Sequence, residues 1–253
     1  MDASTLSRRL IDWLQSKVAE AGTRGVVFGM SGGLDSSVLA ALCRHAFPEH
    51  HLGLILPCHS DPRDTEDALL VAATLDIRHV TVELDGVYDR LLESLRTSGG
   101  SVLPDENEQA QRLARANLKP RLRMCTLYYF ANRLGYLVVG SSNRSELEVG
   151  YFTKYGDGGV DLAPLGALTK TEVRQLAQYL GIPARIIQKP PSAGLWPGQT
   201  DEEEMGITYE QLDAYLRGEP VPPAVRQRIE FMQERSAHKR QPPPICPIGG
   251  AGQ

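Results

Sequence analysis

The chain has 253 residues, 42% of them hydrophobic and 23% charged, which suits one large α/β domain, or one domain with a modest appendage, with an ordinary globular balance. Its formal charge of −4 argues against a general nucleic-acid binder, and no apolar run has the length of a membrane span or the form of a secretory leader. Cys43, Cys58, Cys125 and Cys246 are scattered without a C-x-x-C pair, which reads as reduced thiols in a cytoplasmic protein and not as a zinc site or a disulfide frame.

Leu6, Leu10, Leu14 and Val18 recur every four residues and predict an amphipathic first helix. A buried strand at Gly25 to Phe28 then runs into a glycine-rich turn and a helix carrying Val38 to Leu42. The apolar run Leu52 to Leu56 predicts a second strand ended by Pro57, followed by a helix over Asp64 to Leu75 and a short strand at His79 to Leu84. A helix at about Val87 to Leu95 leads into a polar loop around Ser98 to Ser101. Glu106 to Arg133 reads as one long helix that Pro120 could bend, because proline removes a helix hydrogen bond. Leu137 to Gly140 is a further buried strand. This alternation predicts an α/β fold, a doubly wound parallel sheet with flanking helices and ligands at the carboxyl ends of its strands. Tyr151 to Gly166 reads as an ordered functional loop and Lys170 to Leu180 as a helix stopped by Gly181 and Pro183. Lys189 to Gly206 carries four consecutive acids, Asp201 to Glu204, and is expected to be a mobile lid. Short helices near Tyr209 to Leu216 and Pro223 to Glu234 precede a flexible basic and proline-rich tail, 238–253. Nothing divides residues 1–253 into two domains.

The turn Gly29-Met30-Ser31-Gly32-Gly33-Leu34-Asp35-Ser36-Ser37 lies where a strand feeds a helix. Backbone N–H groups and the helix dipole favour an anion at such a place. Asp35 would repel a phosphate unless a cation lay between them, and a hard, oxygen-preferring ion such as Mg²⁺ is the simplest mediator. The turn lacks the lysine of G-x-x-x-x-G-K-[ST] and the spacing of G-x-G-x-x-G. It resembles the S-G-G-x-D-S pyrophosphate loop of the N-type ATP pyrophosphatases; the plainer reading is a glycine-serine turn with a helix cap. Positive charge gathers at Lys119, Arg121 and Arg123 and at His238-Lys239-Arg240, and each group alone reads more simply as a solvated face.

The segment from Gly150 through Tyr151-Phe152-Thr153-Lys154-Tyr155-Gly156-Asp157-Gly158-Gly159-Val160 to Asp161 resembles the signature of the NAD synthetases. Ser145-Glu146, Leu168 to Glu172, Gly198-Gln199-x-Asp201-Glu202 and His238-Lys239-Arg240 match the same family in order, so that the resemblance spans nearly the whole chain. It implies an adenine nucleotide alpha-hydrolase-like, Rossmann-like fold. The implied reaction is ATP-dependent amidation of deamido-NAD with ammonia, through an acyl adenylate, releasing AMP and pyrophosphate. Gly29, Met30, Ser31, Gly32, Gly33, Leu34, Asp35 and Ser36 would cradle the pyrophosphate, with Lys170, Ser141 and Ser192 as further ATP contacts. Asp35 and Glu146 would hold Mg²⁺. Arg121, Lys154, Asp161, His238, Lys239, Asn117, Tyr128 and Tyr151 would hold deamido-NAD. Asp35, Lys170 and Asp157 are the expected catalytic groups, Asp157 orienting or deprotonating the incoming nitrogen.

Taken locally, Glu146 reads as a helix-start carboxylate and Lys170 as a lysine at an unfavourable, positive helix end. Ser141 and Ser192 stand where relatives often have threonine, and Ile55 where some have a basic residue near the adenine. The resemblance further implies a cytoplasmic homodimer with the long helix at its interface. It makes ammonia the direct nitrogen donor and leaves open a separately encoded glutaminase. A tRNA-thiolating ATP pyrophosphatase would need a persulfide cysteine or a basic platform. A nucleotide-sensing module could keep the loop without the chemistry.

Overall fold

The protein is described from a computed structural model over residues 1–99, 108–196 and 198–246. The sheet consists of β1 (Val26–Gly29), β2 (His51–Ile55), β3 (His79–Thr81) and β4 (Leu137–Val139), in the order β3-β2-β1-β4. Every pairing is parallel, with Val27 opposite Leu52 and Val138, and Leu54 opposite Val80.

Strand alternation divides the core into two layers. Val26 and Phe28 point into one, where they meet Leu14 and Val18 of α1 (Ala3–Glu20), Val38, Leu39 and Leu42 of α2 (Leu34–Ala46), Ala68 and Val71 of α3 (Pro62–Thr74), and Val173 and Leu176 of α7 (Lys170–Tyr179). Val27, Leu52, Leu54 and Val138 point into the other, under α4 (Asp85–Gly99) and α5 (Glu108–Leu134). The four-residue repeat in α1 is thus its buried stripe, and Asp2 caps the helix by accepting from the Thr5 N–H at 3.0 Å.

Past β4 the chain folds as α6 (Arg144–Val149), α7, α8 (Ala184–Ile187), α9 (Asp201–Met205), α10 (Tyr209–Leu216), α11 (Pro223–Ser236) and a 3₁₀ turn at Ala237–Lys239. A third core of Val149, Met205, Ile207, Tyr209, Leu212 and Ile229 packs α9, α10 and α11 onto α6. The chain steps from β1 outward to β2 and β3, then returns to place β4 on the other side of β1. The sheet's switch point therefore lies between the carboxyl ends of β1 and β4, where open parallel sheets bind ligands.

Some expectations need revision. The four-acid run expected in a mobile lid folds as α9, with Asp201 and Met205 buried; its acids occupy a first helical turn, where the dipole favours them. The helix α8 was not expected, being too short to carry a helical repeat, and α6 was foreshadowed only by the helix-start reading of Glu146. The long helix runs on across Pro120, which is buried inside it, while Glu106 and most of the polar loop after Ser98 fall outside the described residues. The tail expected from residue 238 begins as an ordered turn, with Lys239 Nζ donating to the carbonyls of Gly150 at 2.7 Å and Phe152 at 2.8 Å. Among the described residues no helix is long and apolar enough to cross a membrane.

Entry into β1 depends on close approach. A Cβ at Gly25 would run into the His50 carbonyl oxygen and lie 2.7 Å from the Tyr136 ring. Gly25→Ala should lower stability by about 1–3 kcal/mol, the usual cost of overpacking, measured by urea unfolding.

Candidate active site

The glycine turn closes β1 and opens α2. Gly29 is the last strand residue, and the Met30 N–H donates to the Leu54 carbonyl at 2.8 Å while its side chain sits in the core. The two ends of the predicted cradle thus differ: Met30 anchors it, and the residues after it form the concavity. Gly32 has φ +76°, and a Cβ there would collide with the Asp64 carbonyl of α3, so only glycine fits this bend. Ser31 Oγ and Ser36 Oγ lie 2.9 Å apart, and Ser36 Oγ donates to the Gly33 carbonyl at 3.1 Å, which holds the turn in shape. The N-cap, Gly33, supplies no side-chain hydrogen bond to the first turn of α2. That helix end presents amides that intrahelical bonding leaves unmet, a natural seat for an anion.

Facing it is an ionic cluster drawn from three distant segments. Lys170 Nζ lies 2.5 Å from Asp35 Oδ2 and 3.2 Å from Glu146 Oε1, and the lysine side chain is only 4% exposed. Asn143, fully buried, donates from Nδ2 to the other Asp35 oxygen at 2.9 Å. Asn143 also caps α6, accepting from the Glu146 N–H at 3.0 Å, while Glu146 Oε2 accepts from the Asn143 N–H at 3.3 Å. The local reading of Glu146 holds and leaves half the carboxylate over: one oxygen caps the helix, the other faces the lysine. Asp213, fully buried on α10, accepts from Ser145 Oγ at 2.5 Å and from the Thr171 N–H at 2.8 Å. It holds the residues next to Glu146 and Lys170 and fixes the starts of α6 and α7 relative to each other.

Burial works to lower the Lys170 pKa, but the Asp35 and Glu146 carboxylates outweigh it and hold the ammonium well above its ordinary value. Unit charges about 4 Å apart attract by about 4 kcal/mol at an effective dielectric near 20, enough to offset much of the lost hydration. Glu146 is pushed up by burial, with Lys170 pulling it back and Asp35 and Asp201 adding like charge. Asp201, 4% exposed, is also raised by its burial. Three carboxylates around one ammonium leave an excess of negative charge that a cation would offset. Asp35 and Glu146 offer the hard oxygen atoms Mg²⁺ prefers. Among the described residues no three His, Cys, Asp or Glu side chains converge as a ready-made metal cage, so a bound ion would draw further oxygens from substrate or water.

The tyrosine-glycine-aspartate block lies against α5. Asn117 Oδ1 accepts from Thr153 Oγ1 at 2.7 Å, Arg121 donates to the Lys154 carbonyl at 3.3 Å, and Tyr128 OH donates to Asp161 Oδ1 at 2.9 Å. Asp161 Oδ2 accepts from the Val138 N–H at 2.8 Å, tying the block to β4. Lys154 Nζ donates to the His238 carbonyl at 2.6 Å. Of the eight residues expected at a dinucleotide site, seven thus tie the block to α5, β4 or the C-terminal turn, and Tyr151 ties it to the ionic cluster's helix, its N–H donating to the Glu146 carbonyl at 2.9 Å. Asp157 accepts from the Thr153 N–H at 2.9 Å, and its carboxyl is raised by burial although Lys239 and Arg123 pull against it. Neither Lys119 nor Arg123 forms a solvated face: Lys119 Nζ donates to the His59 and Leu195 carbonyls at 3.3 and 2.9 Å, and Arg123 Nε to the Leu56 carbonyl at 3.0 Å.

The segment after α8 arches over the turn. Lys189 Nζ lies 2.7 Å from Asp64 Oδ1 and 2.6 Å from Asp67 Oδ2, clasping it to α3 beside Gly32. Ser192 Oγ is engaged within the arch, donating to the Gln199 carbonyl at 2.7 Å, and Ser141 stands half-buried just beyond β4. Gln199 Nε2 and Tyr151 OH both donate to Glu204 Oε2, at 2.7 and 2.8 Å. The sequence reading missed Asn143, Lys189, Tyr209 and Asp213, and placed Asp201 in a family-matching block without a role in the site. Only Asn143 left a local signal, as the first residue of an N-x-x-E capping box.

Fold and site together define an adenine nucleotide alpha-hydrolase-like protein, its anion seat facing a lysine held between carboxylates. The NAD synthase family model matches residues 6–243. An NH(3)-dependent NAD(+) synthetase of Carboxydothermus hydrogenoformans is 51% identical over 239 residues, 94% of this chain and 96% of that protein. Among solved structures, the NMN synthetase of Francisella tularensis matches with a TM-score of 0.91 at 36% identity, over 98% of this chain and 100% of that one. The NH3-dependent NAD synthetase of Campylobacter jejuni matches with a TM-score of 0.78 at 28% identity, over 98% and 100%. The chain belongs to the NAD synthase family.

Asp157 permits a test of its electrostatics. A carboxyl held above its ordinary value binds its proton more tightly in the folded chain, so its contribution to stability is lost as pH rises through the folded value. Asp157→Asn, which does not titrate, should raise the thermal midpoint most near pH 8. The gain should shrink steadily toward pH 4 in melts taken across that range.

Proposed function

We propose that the protein makes NAD from deamido-NAD, ATP and ammonia. The observation that carries this reading is the open N-terminus of α2 facing the Asp35–Lys170–Glu146 cluster, in a member of the NAD synthase family. The nicotinate carboxylate attacks the α-phosphate of ATP, forming the acyl–phosphate bond as the bond to pyrophosphate breaks. Ammonia then attacks the acyl carbon, AMP leaves, and the amide of NAD remains. A carboxylate resists ammonia because its carbonyl carbon is electron-rich; adenylation supplies a leaving group.

The first step brings an anion against a polyanion, so charge stabilisation dominates its catalysis. The turn from Gly29 to Ser36 seats the departing pyrophosphate, its amides clustered at the start of α2. Lys170 offers its ammonium to the phosphates, and Ser141 and Ser192 offer hydroxyls. Asp35 and Glu146 would hold Mg²⁺, which supplies positive charge against the phosphates when bound. Arg121, Lys154, Asp161, His238, Lys239, Asn117, Tyr128 and Tyr151 hold deamido-NAD along α5. Asp157, a carboxylate of raised proton affinity, takes the proton that ammonium must shed before its nitrogen can attack. Leu113 and Tyr129 stand exposed on α5, apolar surface that a twofold contact in a homodimer would cover. The cysteines are all free thiols, which fits a cytoplasmic enzyme.

A second reading keeps the chemistry and shortens the acceptor to the mononucleotide. It is favoured by the TM-score of 0.91 to the Francisella tularensis NMN synthetase, against 0.78 to the Campylobacter jejuni NAD synthetase. The 51% identity to a curated NAD synthetase weighs more, because it compares side chains and not backbone path alone.

Purified protein with ATP, Mg²⁺, deamido-NAD and ammonium should release AMP, pyrophosphate and NAD in equal amounts, and glutamine should not replace ammonium. Asp35→Ala should lower kcat by about 10²-fold or more in the same assay. The ratio of kcat/KM for deamido-NAD to that for nicotinate mononucleotide decides between the two acceptors. A ratio above one supports the dinucleotide.

A further inference from the structure

Tyr209 stands at the first position of α10, 4% exposed, and the reaction above assigns it nothing. Its hydroxyl lies 2.9 Å from Asp201 Oδ2 and 3.3 Å from Glu146 Oε1, and Lys170 Nζ sits 4.7 Å from its ring centroid. Its N–H donates to Glu202 Oε1 at 2.8 Å. One side chain thus touches both the arch over the glycine turn, through α9, and the ionic cluster, through Glu146 and Lys170.

A phenol has one proton to donate. With two carboxylates in reach it satisfies one at a time, and the shorter distance gives the proton to Asp201. In that state Glu146 Oε1 is held by Lys170 alone. Were α9 to leave, the proton would have only Glu146 to turn to, and it would occupy the very oxygen that faces the lysine. Burial, followed by the charges of Glu146 and Asp201, keeps the phenol protonated, so it acts as a donor throughout.

The docked arch is also incompletely satisfied. Asp201 Oδ1 and Thr200 Oγ1 are buried without a hydrogen-bond partner among the described residues. An unmet buried polar group opposes docking, because it loses water and gains no partner. Gly194, Gly198 and Gly206 have positive φ values of 61°, 76° and 72°, placing turns on both sides of the segment that would move. The other end is clasped by Lys189 to Asp64 and Asp67. The arch therefore has a clasped stem and a docking end that leaves two buried polar atoms unmet.

We propose that Tyr209 is a positioning residue that couples docking of residues 198–206 to the state of Glu146. With the arch docked on Asp201, the hydroxyl releases Glu146 Oε1 for the reaction; with the arch undocked, it takes that oxygen back. ATP binding and arch docking then favour each other through one hydrogen bond.

The inference rests on the reading of the glycine turn as the ATP site, and one experiment separates the two. Amide hydrogen exchange is followed with and without ATP in the unaltered chain, Tyr209→Phe, Asp201→Ala and the double variant. ATP should slow exchange at residues 31–37 in all four, and at 198–206 in the unaltered chain alone. ATP protecting neither segment of the unaltered chain overturns the ATP-site reading and the inference with it. Protection of 198–206 persisting in Tyr209→Phe overturns the inference and leaves that reading intact. Each single change should raise the KM for ATP about tenfold with a smaller loss of kcat, and the double change should add little beyond either. Additive penalties would mean that the two residues act separately and would overturn the coupling. Asp201→Ala removes the acceptor and breaks the bond from the other side, so the test survives a poorly folding Tyr209 variant.

Discussion

The pairing of Lys170 with Asp35 and Glu146 constrains more of this molecule than any other interaction. A lysine at the first turn of a helix is electrostatically misplaced, and a buried one doubly so. Here 2.5 and 3.2 Å contacts to two carboxylates compensate for both. The compensation requires β1 and β4 to be neighbours, since Asp35 follows one and Glu146 the other. It also requires α7 to begin at the sheet's switch point. Removing one partner of such a group leaves a buried charge unpaired, costing about 3–5 kcal/mol. The supporting residues follow from this. Asn143 fixes Asp35, the capping box fixes one oxygen of Glu146, and Asp213 locks the helix starts together.

Glu146 shows that one side chain can serve a helix cap and an ion pair at once. Glu146 uses one oxygen to begin a helix and keeps the other for the cluster. The same economy recurs in α10. Tyr209 and Asp213 are one helical turn apart and so share a face. One reaches Glu146 and the other the neighbours of Glu146 and Lys170. A helix of eight residues, late in the chain and far from the sheet, thereby sets the geometry at the sheet's edge.

The sheet and its switch point were legible in the sequence because the signals are local and periodic. Short apolar runs, a glycine turn and a four-residue leucine repeat each report on their own element. Asp35, Glu146 and Lys170 were reached through family resemblance; no local pattern announces that residues 35, 146 and 170 meet. The acidic run at Asp201 to Glu204 looked like mobile lid because composition registers charge and not the tyrosine and glutamine waiting to bind it. Lys119 and Arg123 looked solvated for a similar reason: their partners are backbone carbonyls, which every sequence contains. Tyr209 and Asp213 went unseen because their meaning lies wholly in tertiary contacts.

The return of the chain to place β4 beside β1 bears on how the protein is made. On the ribosome β1, β2 and β3 can pair once Thr81 has emerged, yet one edge of β1 must wait for Val139. At ordinary synthesis rates that interval lasts roughly 3–12 s. Throughout it the nascent chain displays an unpaired edge flanked by Val26, Val27 and Phe28, a template for sticking to other chains. The strand that completes the active-site crevice is therefore also the one that ends the most exposed period of biogenesis. A chaperone acting on this chain would find its task between those two moments.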